Sequence, residues 1–459
     1  MQDIEKKIDE VLSRGVGEFI DPDGLFRQKL IDKNTGKYPG EIIIKYGIDP
    51  TRPDIHLGHA VCLRKLRQLQ DLGCKVLFLV GDFTALIGDP TGKSKVRPAI
   101  EHQEVLRNML TYLQQVGRIL NVSVDSNGNI LDDNKFTWLV NSDWFIGIHD
   151  VFVGESTKID DKVKEWYNTR HQRKITGDTI HNVSLRDFLS FLKKITHSRL
   201  IQRDLFQERM KSNQELYLHE MMYPVLQGLD SNIICKIYGS CDLEIGGTDQ
   251  TFNMLMGRHI MEADEGKVKQ HPQSVLSFEL LEGLDGVKKM SKSLDNYIGI
   301  TEEPNSMFLK VMSLPDTSIM NYFELCTNLP MEEIAKIAEE IVTGGNIRAI
   351  KMRLAQEIVT LYHSASASED AKKFYEAMSA GENPENISPS QGSPAPLSEF
   401  IVNQGFATSK SDARRKIEQG GVEIDGEKIV DWQYEVGSKD NGKVMRVGKK
   451  DIVRIVFND

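Results

Sequence analysis

The segment IIIKYGIDPTRPDIHLGHAVCLRKLRQLQDLGCKVLFLV, residues 42–80, predicts two β-strands joined by an α-helix. The runs at its two ends, 42–48 and 76–80, are apolar and contain β-branched residues, which favours buried strands. Between them, apolar residues recur at helical spacing from Leu57 until Gly73 ends the pattern. Strands joined through a helix pair in parallel, so the segment predicts a βαβ unit.

Further segments extend this pattern over about the first 300 residues. Strand-like runs occur at 136–140, 233–237 and 274–278, and they alternate with helical stretches such as 187–194. This alternation favours a Rossmann-like parallel sheet covered by helices on both faces. The expected fold class is therefore α/β.

The rest of the chain has a different composition. From residue 304 to about 380 the β signals are absent, which predicts an all-α domain. Residues 379–396 hold four Pro, four Ser and two Gly, a composition typical of a semi-extended linker. Two short helical pieces and alternating apolar residues with Gly-rich turns then predict a small α+β domain over 397–459.

Composition excludes several classes of protein. Hydrophobic residues make up 40% and charged residues 27%, which is typical of globular proteins. No apolar run approaches the roughly 20 residues that cross a bilayer, and the mixed charges of the first twenty residues do not resemble a leader, so a cytoplasmic location is expected. The five cysteines form no C-x-x-C pair, so no protein-ligated metal is expected. A net charge of −10 argues against a bulk polyanion binder but leaves room for a local basic surface.

Two histidines mark the predicted start of the helix. His56 and His59 lie three residues apart with Gly58 between them. Neutral imidazoles and backbone N–H groups at the positive end of a helix donate to phosphate oxygens, and a missing side chain at Gly58 lets a nucleotide approach closely. Histidines at this spacing are by themselves more often structural than ligands.

The segment GVKKMSKSLDNYIG, residues 286–299, favours the interpretation of these histidines as ligands. Lys289 and Lys292 stand in a loop rich in Gly and Ser, where flexible cations can close over a polyphosphate. A lone K-x-x-K is more often a solvated basic loop. HLGH followed by KMSKS at 289–293 resembles the two signatures of class I aminoacyl-tRNA synthetases, and this implies ATP as a substrate, bound with Mg²⁺.

The segment GDPTGKS, residues 88–94, looks like a P-loop, but only three residues separate its two glycines where a P-loop needs four. It instead resembles the IGDPSGK stretch of tyrosyl-tRNA synthetases. The resemblance implies that Asp89 binds the substrate ammonium and that Lys93 and Arg97 lie near the pyrophosphate. Without it, a turn or a helix cap would be the usual reading of Asp89.

A third stretch indicates the amino acid. In YPVLQGLD, residues 223–230, Tyr223, Gln227 and Asp230 are spaced so that one helix face can present all three to a small ligand. The alternative is an amphipathic helix with a buried polar stripe. Together with IGGTDQTFN at 245–253, this stretch also resembles tyrosyl-tRNA synthetases.

The resemblance implies a role for each matching residue. Tyr223 and Gln227, with Asp89, receive the α-amino group of tyrosine; Asp230 accepts from the phenol hydroxyl, and Gln250 borders the carboxylate. Gly247 and Asp249 meet the ribose. The residues implied in ATP binding are Asp49, Gly58, Gly247, Asp249 and Lys292. Those implied in catalysis are Thr51, His56, His59, Lys93, Arg97, Lys289 and Lys292.

Some parts of the chain depart from the pattern. Lys45 and Tyr46 stand where many members have tyrosine and cysteine, so the phenol and ribose contacts of those positions are not carried over. The segment KYGIDPTRPDIHLGH, residues 45–59, resembles another bacterial branch of the same family. The charged stretch 151–181 aligns with no family role, and a solvated surface insertion is expected there.

The resemblance also implies an organisation and an activity. The expected domains are a catalytic domain, 1–302, a helical anticodon-arm-binding domain, 303–378, a linker, 379–396, and an RNA-binding domain like that of ribosomal protein S-four, 397–459. In the last domain, Arg414, Arg415 and Lys416 are expected to contact RNA.

The expected enzyme is a tyrosine–tRNA ligase that activates L-tyrosine with ATP and transfers it to the 3′ end of tRNA(Tyr), with a homodimer implied by the family. Two alternatives stay open: a tryptophanyl-tRNA synthetase, and a non-catalytic RNA-binding paralogue.

Overall fold

The computed structural model describes residues 2–91, 100–126, 129–145, 183–264, 271–384, 387–390, 392–448 and 451–457. The chain divides into two compact units, Met1–Thr301 with Met320–Ile334, and Glu302–Ile319 with Ala335–Asp459. Each unit encloses its own clusters of buried apolar side chains. Within the described ranges, no helix combines the length and the apolar character that crossing a membrane requires.

A six-stranded sheet forms the centre of the first unit. The strands up to residue 301 are β1 Val16–Ile20, β2 Ile43–Ile48, β3 Lys75–Val80, β4 Ser123–Val124, β5 Ile130–Leu131, β6 Phe136–Val140, β7 Leu243–Gly247 and β8 Ser274–Phe278. The sheet order is β1-β8-β7-β2-β3-β6, while β4 and β5 form a separate antiparallel pair. All neighbours in the sheet are parallel except β1 and β8. The predicted parallel sheet is thus confirmed for its main body, and the antiparallel edge strand β1 is an addition common in such sheets.

Helices cover this sheet. Up to residue 301 they are α1 Gln2–Ser13, α2 Leu25–Asn34, α3 Leu57–Asp71, α4 Asp82–Ile87, α5 His102–Val116, α6 Leu185–Leu192, α7 His197–Leu200, α8 Asp204–Lys211, α9 Leu218–Tyr238 and α10 Thr251–Ala263. The predicted βαβ unit is β2, α3 and β3, with Ile43 opposite Lys75 in parallel register. Gly73 follows the helix with φ +87°, which a residue with a side chain rarely adopts.

Residues 233–237, predicted as a strand, lie inside α9. The prediction was wrong because a short apolar run with β-branched residues fits a buried strand and a buried helix equally. Ile234 and Cys235 pack in the same buried cluster as Val225 and Leu229 from earlier turns of α9. Burial in this cluster outweighs the local β preference.

Beyond residue 301 the chain is helical first and mixed afterwards, and all of it belongs to the second unit except Met320–Ile334. Beyond residue 301 the helices are α11 Pro304–Met312, α12 Ile319–Cys326, α13 Met331–Val342, α14 Ile347–Tyr362, α15 Ala365–Ala380, α16 Leu397–Asn403 and α17 Lys410–Glu418. The strands are β9 Ala395–Pro396, β10 Val422–Ile424, β11 Glu427–Lys428, β12 Glu435–Val436, β13 Val444–Val447 and β14 Asp451–Arg454. The small sheet has the order β11-β10-β13-β14, and β9 pairs with β12.

Part of the segment 379–396, which composition predicts as a linker, is bonded to the small sheet. Ser390 N donates to Arg454 O over 2.7 Å, and Ser390 Oγ contacts Val456. Ile387 is buried in a cluster with Phe374 of α15 and Ile452 of β14. These contacts join the last long helix to the C-terminal sheet within the second unit.

Candidate functional site

A cavity of about 1630 Å³ opens where the parallel strands of the first unit end. Its lining includes residues that directly follow β2, β3, β6 and β7. Parallel α/β sheets bind ligands at this carboxyl edge. Because a pocket for one small ligand typically measures about 300–1000 Å³, the cavity has room for more than one.

The first turn of α3 forms one wall of the cavity. The ring of His56 stacks on that of His59 with centroids 3.8 Å apart, and its buried Nδ1 has no hydrogen-bond partner among the described residues. A Cβ at Gly58 would lie 3.1 Å from the His56 ring, so a larger residue would press on the imidazole. Burial, reinforced by Lys292 and Lys289, lowers the pKa of His56 to about 3. The imidazole is therefore neutral at physiological pH.

The KMSKS segment, residues 289–293, lies beside this wall because the chain that follows it is bonded to the start of α3. Leu57 N donates to Ile298 O over 3.0 Å, and Ile300 N donates to Ile55 O over the same distance. The two signatures are far apart in sequence, and the fold brings them to one cavity.

Both signature lysines line the cavity and already have protein partners. Lys289 Nζ lies 2.8 Å from Asp249 Oδ2. Lys292 Nζ lies 3.4 Å from Arg52 O and from the Tyr112 hydroxyl, and 5.2 Å from the centre of the Tyr112 ring. Burial lowers the pKa of Lys292 to about 8, so the ammonium is the main form at neutral pH.

Helix α9 also lines the cavity, through Tyr223, Gln227 and Asp230. The Tyr223 hydroxyl donates to Asp49 Oδ2 over 2.8 Å. Asp49 Oδ1 accepts from Thr84 Oγ1, also over 2.8 Å. Asp49, predicted to bind ATP, thus also orients the side chain of Tyr223.

Asp230 lies at the deep end of this row and is 2% exposed. Its Oδ1 accepts from Trp144 Nε1 over 2.8 Å, and its Oδ2 accepts from Asn141 Nδ2 over 3.4 Å. Burial raises the pKa of Asp230 to about 7, against the lowering effects of Lys45 and of these two donors. The carboxyl group therefore changes its charge near neutral pH.

Asp89 is held in place by neighbours from three parts of the chain. Its Oδ1 accepts from Thr91 N over 2.9 Å, and its Oδ2 accepts from Gln250 Nε2 over 2.7 Å. The buried guanidinium of Arg203 lies 3.5 Å from Oδ1. Asp89 and Gln250, predicted to bind tyrosine, are thus in direct contact.

The two positions that depart from the family pattern are both buried. Lys45 Nζ forms an ion pair with Glu244 Oε1 over 2.9 Å and donates to Gln227 O and Ser231 Oγ. Tyr46 packs its ring 5.8 Å from that of Phe78, and burial raises the pKa of its hydroxyl. Lys45 therefore interacts with the middle of α9, at Gln227 and Ser231.

The remaining described residues of the predicted site are those expected to bind the nucleotide, and they also line the cavity. Gly247 ends β7 and Asp249 lies two residues beyond it, and a Cβ at Gly247 would lie 2.7 Å from Asp249 Oδ1. Thr51 lines the cavity, and its backbone N–H donates to Asp49 O over 2.8 Å. Lys93 and Arg97, and the stretch 151–181, lie outside the described residues.

The predicted RNA contacts belong to α17 in the second unit. The guanidinium of Arg414 lies 3.8 Å from the centre of the Trp432 ring. Arg415 pairs with Asp412 over 2.7 Å, and Lys416 Nζ donates to Phe406 O over 2.6 Å. Arg415 and Lys416 are thus partly used within the domain, whereas Arg414 lies exposed on an aromatic face.

The chemistry of the described residues does not suggest a resident metal. In the parts of the chain that the structure covers, no cluster of three or more His, Cys, Asp or Glu is arranged to hold an ion. All five cysteines are buried and free. The lining of the cavity combines lysine ammonium groups with carboxylates and amides, a combination that suits an anionic ligand beside an ammonium-bearing one.

Sequence reasoning missed several residues that line the cavity or hold its side chains in place. Asn141 directly follows β6 and Trp144 comes three residues later, and their position at the carboxyl edge of the sheet could have indicated a site. The others reach the site from distant segments without a local signal; they are Arg203, Glu244, Thr84 and Tyr112.

Comparison with known proteins gives a consistent result. Residues 37–379 match the family model described as tRNA synthetases class I (W and Y). Residues 384–455 match the model described as tyrosine–tRNA ligase SYY-like C-terminal domain.

Full-length relatives and solved structures agree with these matches. The chain is 38% identical over 450 residues to a tyrosine–tRNA ligase of Francisella tularensis subsp. tularensis, covering 98% of each chain. It is 38% identical over 459 residues to a tyrosine–tRNA ligase 2 of Clostridium acetobutylicum, covering 99% of this chain and 100% of that one. A C-terminally truncated mitochondrial tyrosyl-tRNA synthetase of Aspergillus nidulans has a similar fold, with a TM-score of 0.57 and 21% identity over 82% of this chain and 96% of that one.

Proposed function

The chain belongs to the tyrosyl-tRNA synthetases, class I ligases that activate tyrosine with ATP and load it onto tRNA, and from this premise we propose which of its residues carry each step. The observation that carries the assignment is the cavity itself, in which the polar row of α9 faces the HLGH and KMSKS segments. One wall suits an amino acid and the other suits a polyphosphate.

Tyrosine binds along α9. Tyr223, Gln227 and Asp89 receive its ammonium group, and Asp230 accepts a hydrogen bond from the phenol hydroxyl at the deep end. Gln250 borders the carboxylate, where its contact with Asp89 couples the two groups. Support comes from the shared lining of the cavity by all five side chains.

ATP enters as its Mg²⁺ complex and binds on the opposite side. The ribose lies against Gly247 and Asp249, while Asp49 and Gly58 line the path to the phosphates. The ion pair between Asp249 and Lys289 breaks when ATP binds. The Asp249 carboxylate then contacts the ribose, and the Lys289 ammonium contacts the phosphates. An ammonium already beside the site needs little movement to change partner.

The phosphates are held by Thr51, His56, Lys289 and Lys292, with His59 fixing the His56 ring by stacking. A neutral imidazole donates one N–H to a phosphate oxygen, and the two lysines supply the charge. By family resemblance, Lys93 and Arg97 act on the pyrophosphate as well.

Activation is an in-line displacement that needs no protein nucleophile. A carboxylate oxygen of tyrosine forms a bond to the α-phosphorus, and the bond from that phosphorus to the β-bridging oxygen breaks and releases pyrophosphate. The 3′-terminal ribose hydroxyl of tRNA(Tyr) then attacks the carbonyl carbon, and AMP leaves. Catalysis consists of positioning and charge stabilisation.

The tRNA is held by the C-terminal part of the chain. We assign residues 303–378 to the anticodon arm and residues 397–459, with Arg414, Arg415 and Lys416, to RNA contact. The family implies a homodimer, and the exposed side chains of Leu185, Leu189 on α6 and Leu218 on α9 provide apolar area for a second copy to cover. ATP and tRNA are cytoplasmic substrates, so the reaction belongs to the cytoplasm.

Exchange of pyrophosphate into ATP, measured with each of the twenty amino acids, tests this assignment. Only tyrosine is expected to support exchange, and Asp230→Ala is expected to relax discrimination against phenylalanine more than it weakens ATP binding, because the buried partner of the hydroxyl is lost. Exchange with tryptophan instead would favour the related synthetase. Absence of exchange with every amino acid would favour a non-catalytic RNA-binding role.

A further inference from the structure

A buried ion pair lies beneath the row of α9 that receives the substrate. Lys45 and Glu244 are 0% and 1% exposed, with Nζ 2.9 Å from Oε1. Such a pair is weak evidence for a stabilising role, because desolvation of the two charges offsets their attraction. Its position next to the substrate site suggests a different purpose.

Lys45 uses all three of its N–H bonds in this network. One goes to Glu244 Oε1, one to Gln227 O over 2.9 Å and one to Ser231 Oγ over 2.8 Å. The ammonium is therefore anchored to α9 at two successive turns. It cannot rotate away without leaving a buried charge unsatisfied.

Glu244 is equally occupied, because each of its oxygens accepts two hydrogen bonds. Oε1 accepts from Lys45 Nζ and from Gln227 Nε2 over 3.1 Å. Oε2 accepts from Ser231 Oγ over 3.1 Å and from Gln273 Nε2 over 2.5 Å. An ionised carboxylate only accepts, so the branch of the Gln227 amide that faces it has to be the NH₂ group.

We infer that Glu244, held in place by Lys45, is a positioning residue that fixes the Gln227 amide with its carbonyl oxygen toward the substrate ammonium. The inference rests on the proposed contact between Gln227 and that ammonium. A flipped amide would set its oxygen against the Glu244 carboxylate and present N–H groups to a cation. Both contacts would then be repulsive, so the pair selects for an amine in the substrate.

The decisive variant is Glu244→Gln, whose amide can pair with either orientation of Gln227. A second variant, Lys45→Met with Glu244→Leu, removes both charges at similar volume and guards against a folding defect from one unpaired charge. For each, we expect the KM for tyrosine to rise about tenfold, with kcat and the KM for ATP within about twofold, because the lost contact is the same in ground and transition states. Binding of tyramine, which has the amine without the carboxylate, should weaken equally, and binding of 3-(4-hydroxyphenyl)propanoate, which lacks the amine, should not change.

A matched control links α8 to the first turn of α9. Arg209 and Glu220 form another buried ion pair, 2.8 Å apart, and neither lines the cavity. Replacing both residues, by Met and Leu, should not separate the binding of tyramine from that of the propanoate. If the Lys45–Glu244 variants also weaken both analogues alike, the pair is merely structural and the inference is overturned.

A double-mutant cycle with Gln227→Ala separates this inference from the proposed function. If Glu244 acts through Gln227, Glu244→Gln should have little further effect on tyrosine binding in the Gln227→Ala background. Additive losses would overturn the inference and leave the role of Gln227 intact. No effect of Gln227→Ala by itself would overturn both the proposed ammonium contact and the inference.

Discussion

Trp144 donates its indole N–H to Asp230 over 2.8 Å, in a site whose net effect is to raise the pKa of this carboxyl group to about 7. The bond favours the ionised form of Asp230, whereas burial favours the neutral form. The two effects leave the carboxyl group close to the balance point at physiological pH. The proposed role of Asp230 therefore links selection of the substrate hydroxyl to the charge of one buried group.

Discrimination between tyrosine and phenylalanine should depend on pH. Below pH 7, Asp230 is mostly protonated and has lost one of its acceptor positions; above pH 7 it is ionised and accepts from the phenol. We expect kcat/KM for tyrosine in pyrophosphate exchange to rise with pH through about 7 and then level off, since this ratio reports the free enzyme. Phenylalanine has no hydroxyl and should not show this rise. Parallel profiles for the two amino acids would contradict the role of Asp230.

Trp144→Phe should move that transition to higher pH. Phenylalanine keeps an aromatic ring at this fully buried position but removes the N–H that stabilises the carboxylate. A hydrogen bond to a charged group contributes about 1.5–3 kcal/mol, so at pH 7 we expect a loss of about tenfold or more in kcat/KM for tyrosine. Much of the loss should be recovered at alkaline pH. A uniform loss at all pH values would indicate a packing defect, and thermal unfolding of the variant provides the control.

Local patterns were enough to predict the framework of this site. The βαβ unit follows from the hydrophobic pattern of 42–80, and the row of α9 follows from the spacing of Tyr223, Gln227 and Asp230. Each of these signals lies within one or two neighbouring elements. Side-chain periodicity therefore carries them directly.

Contacts between distant segments were not predictable in the same way. Trp144 and Asp230 are 86 residues apart, and nothing in the residues around either one indicates the other. Arg203 beside Asp89 and Glu244 beside Lys45 are similar cases, because the two partners of each pair are distant in sequence and only the fold brings them together. The wrong prediction of a strand at 233–237 has another cause, since the local pattern fits a buried strand and a buried helix equally and packing within α9 decides for the helix.

Lys292→Ala should slow formation of tyrosyl-adenylate. The ammonium stabilises charge that develops on the departing pyrophosphate, and loss of one such group costs about 3 kcal/mol, or roughly a hundredfold in rate. Tyrosine affinity should be nearly unchanged, because Lys292 lies on the nucleotide side of the cavity. Single-turnover measurement of adenylate formation tests this, and an unchanged rate would exclude Lys292 from the step.

The same lysine should make the reaction sensitive to alkaline pH. Burial lowers the pKa of Lys292 to about 8, so its charge is complete below that pH and is lost as pH rises through it. We expect kcat/KM for ATP to fall above about pH 8. Lys292→Arg keeps its charge at this pH, so its profile should stay flat even if its maximal rate is lower. A fall of the same size in the arginine variant would assign the effect to another group.

Arg414→Glu should separate the two steps of the reaction. Its guanidinium is exposed over the Trp432 ring in the second unit, where it can contact a phosphate or stack on a base. We expect pyrophosphate exchange to be unchanged, while the KM for tRNA rises several-fold and the dependence of tRNA binding on salt becomes shallower by about one unit in the logarithmic slope. Arg67→Glu, an exposed charge reversal on α3 in the first unit, is the matched control and should leave the salt slope unchanged. If Arg414→Glu weakens exchange and charging equally, the C-terminal domain does more than hold tRNA, because a residue that touches only the second substrate cannot slow adenylate formation.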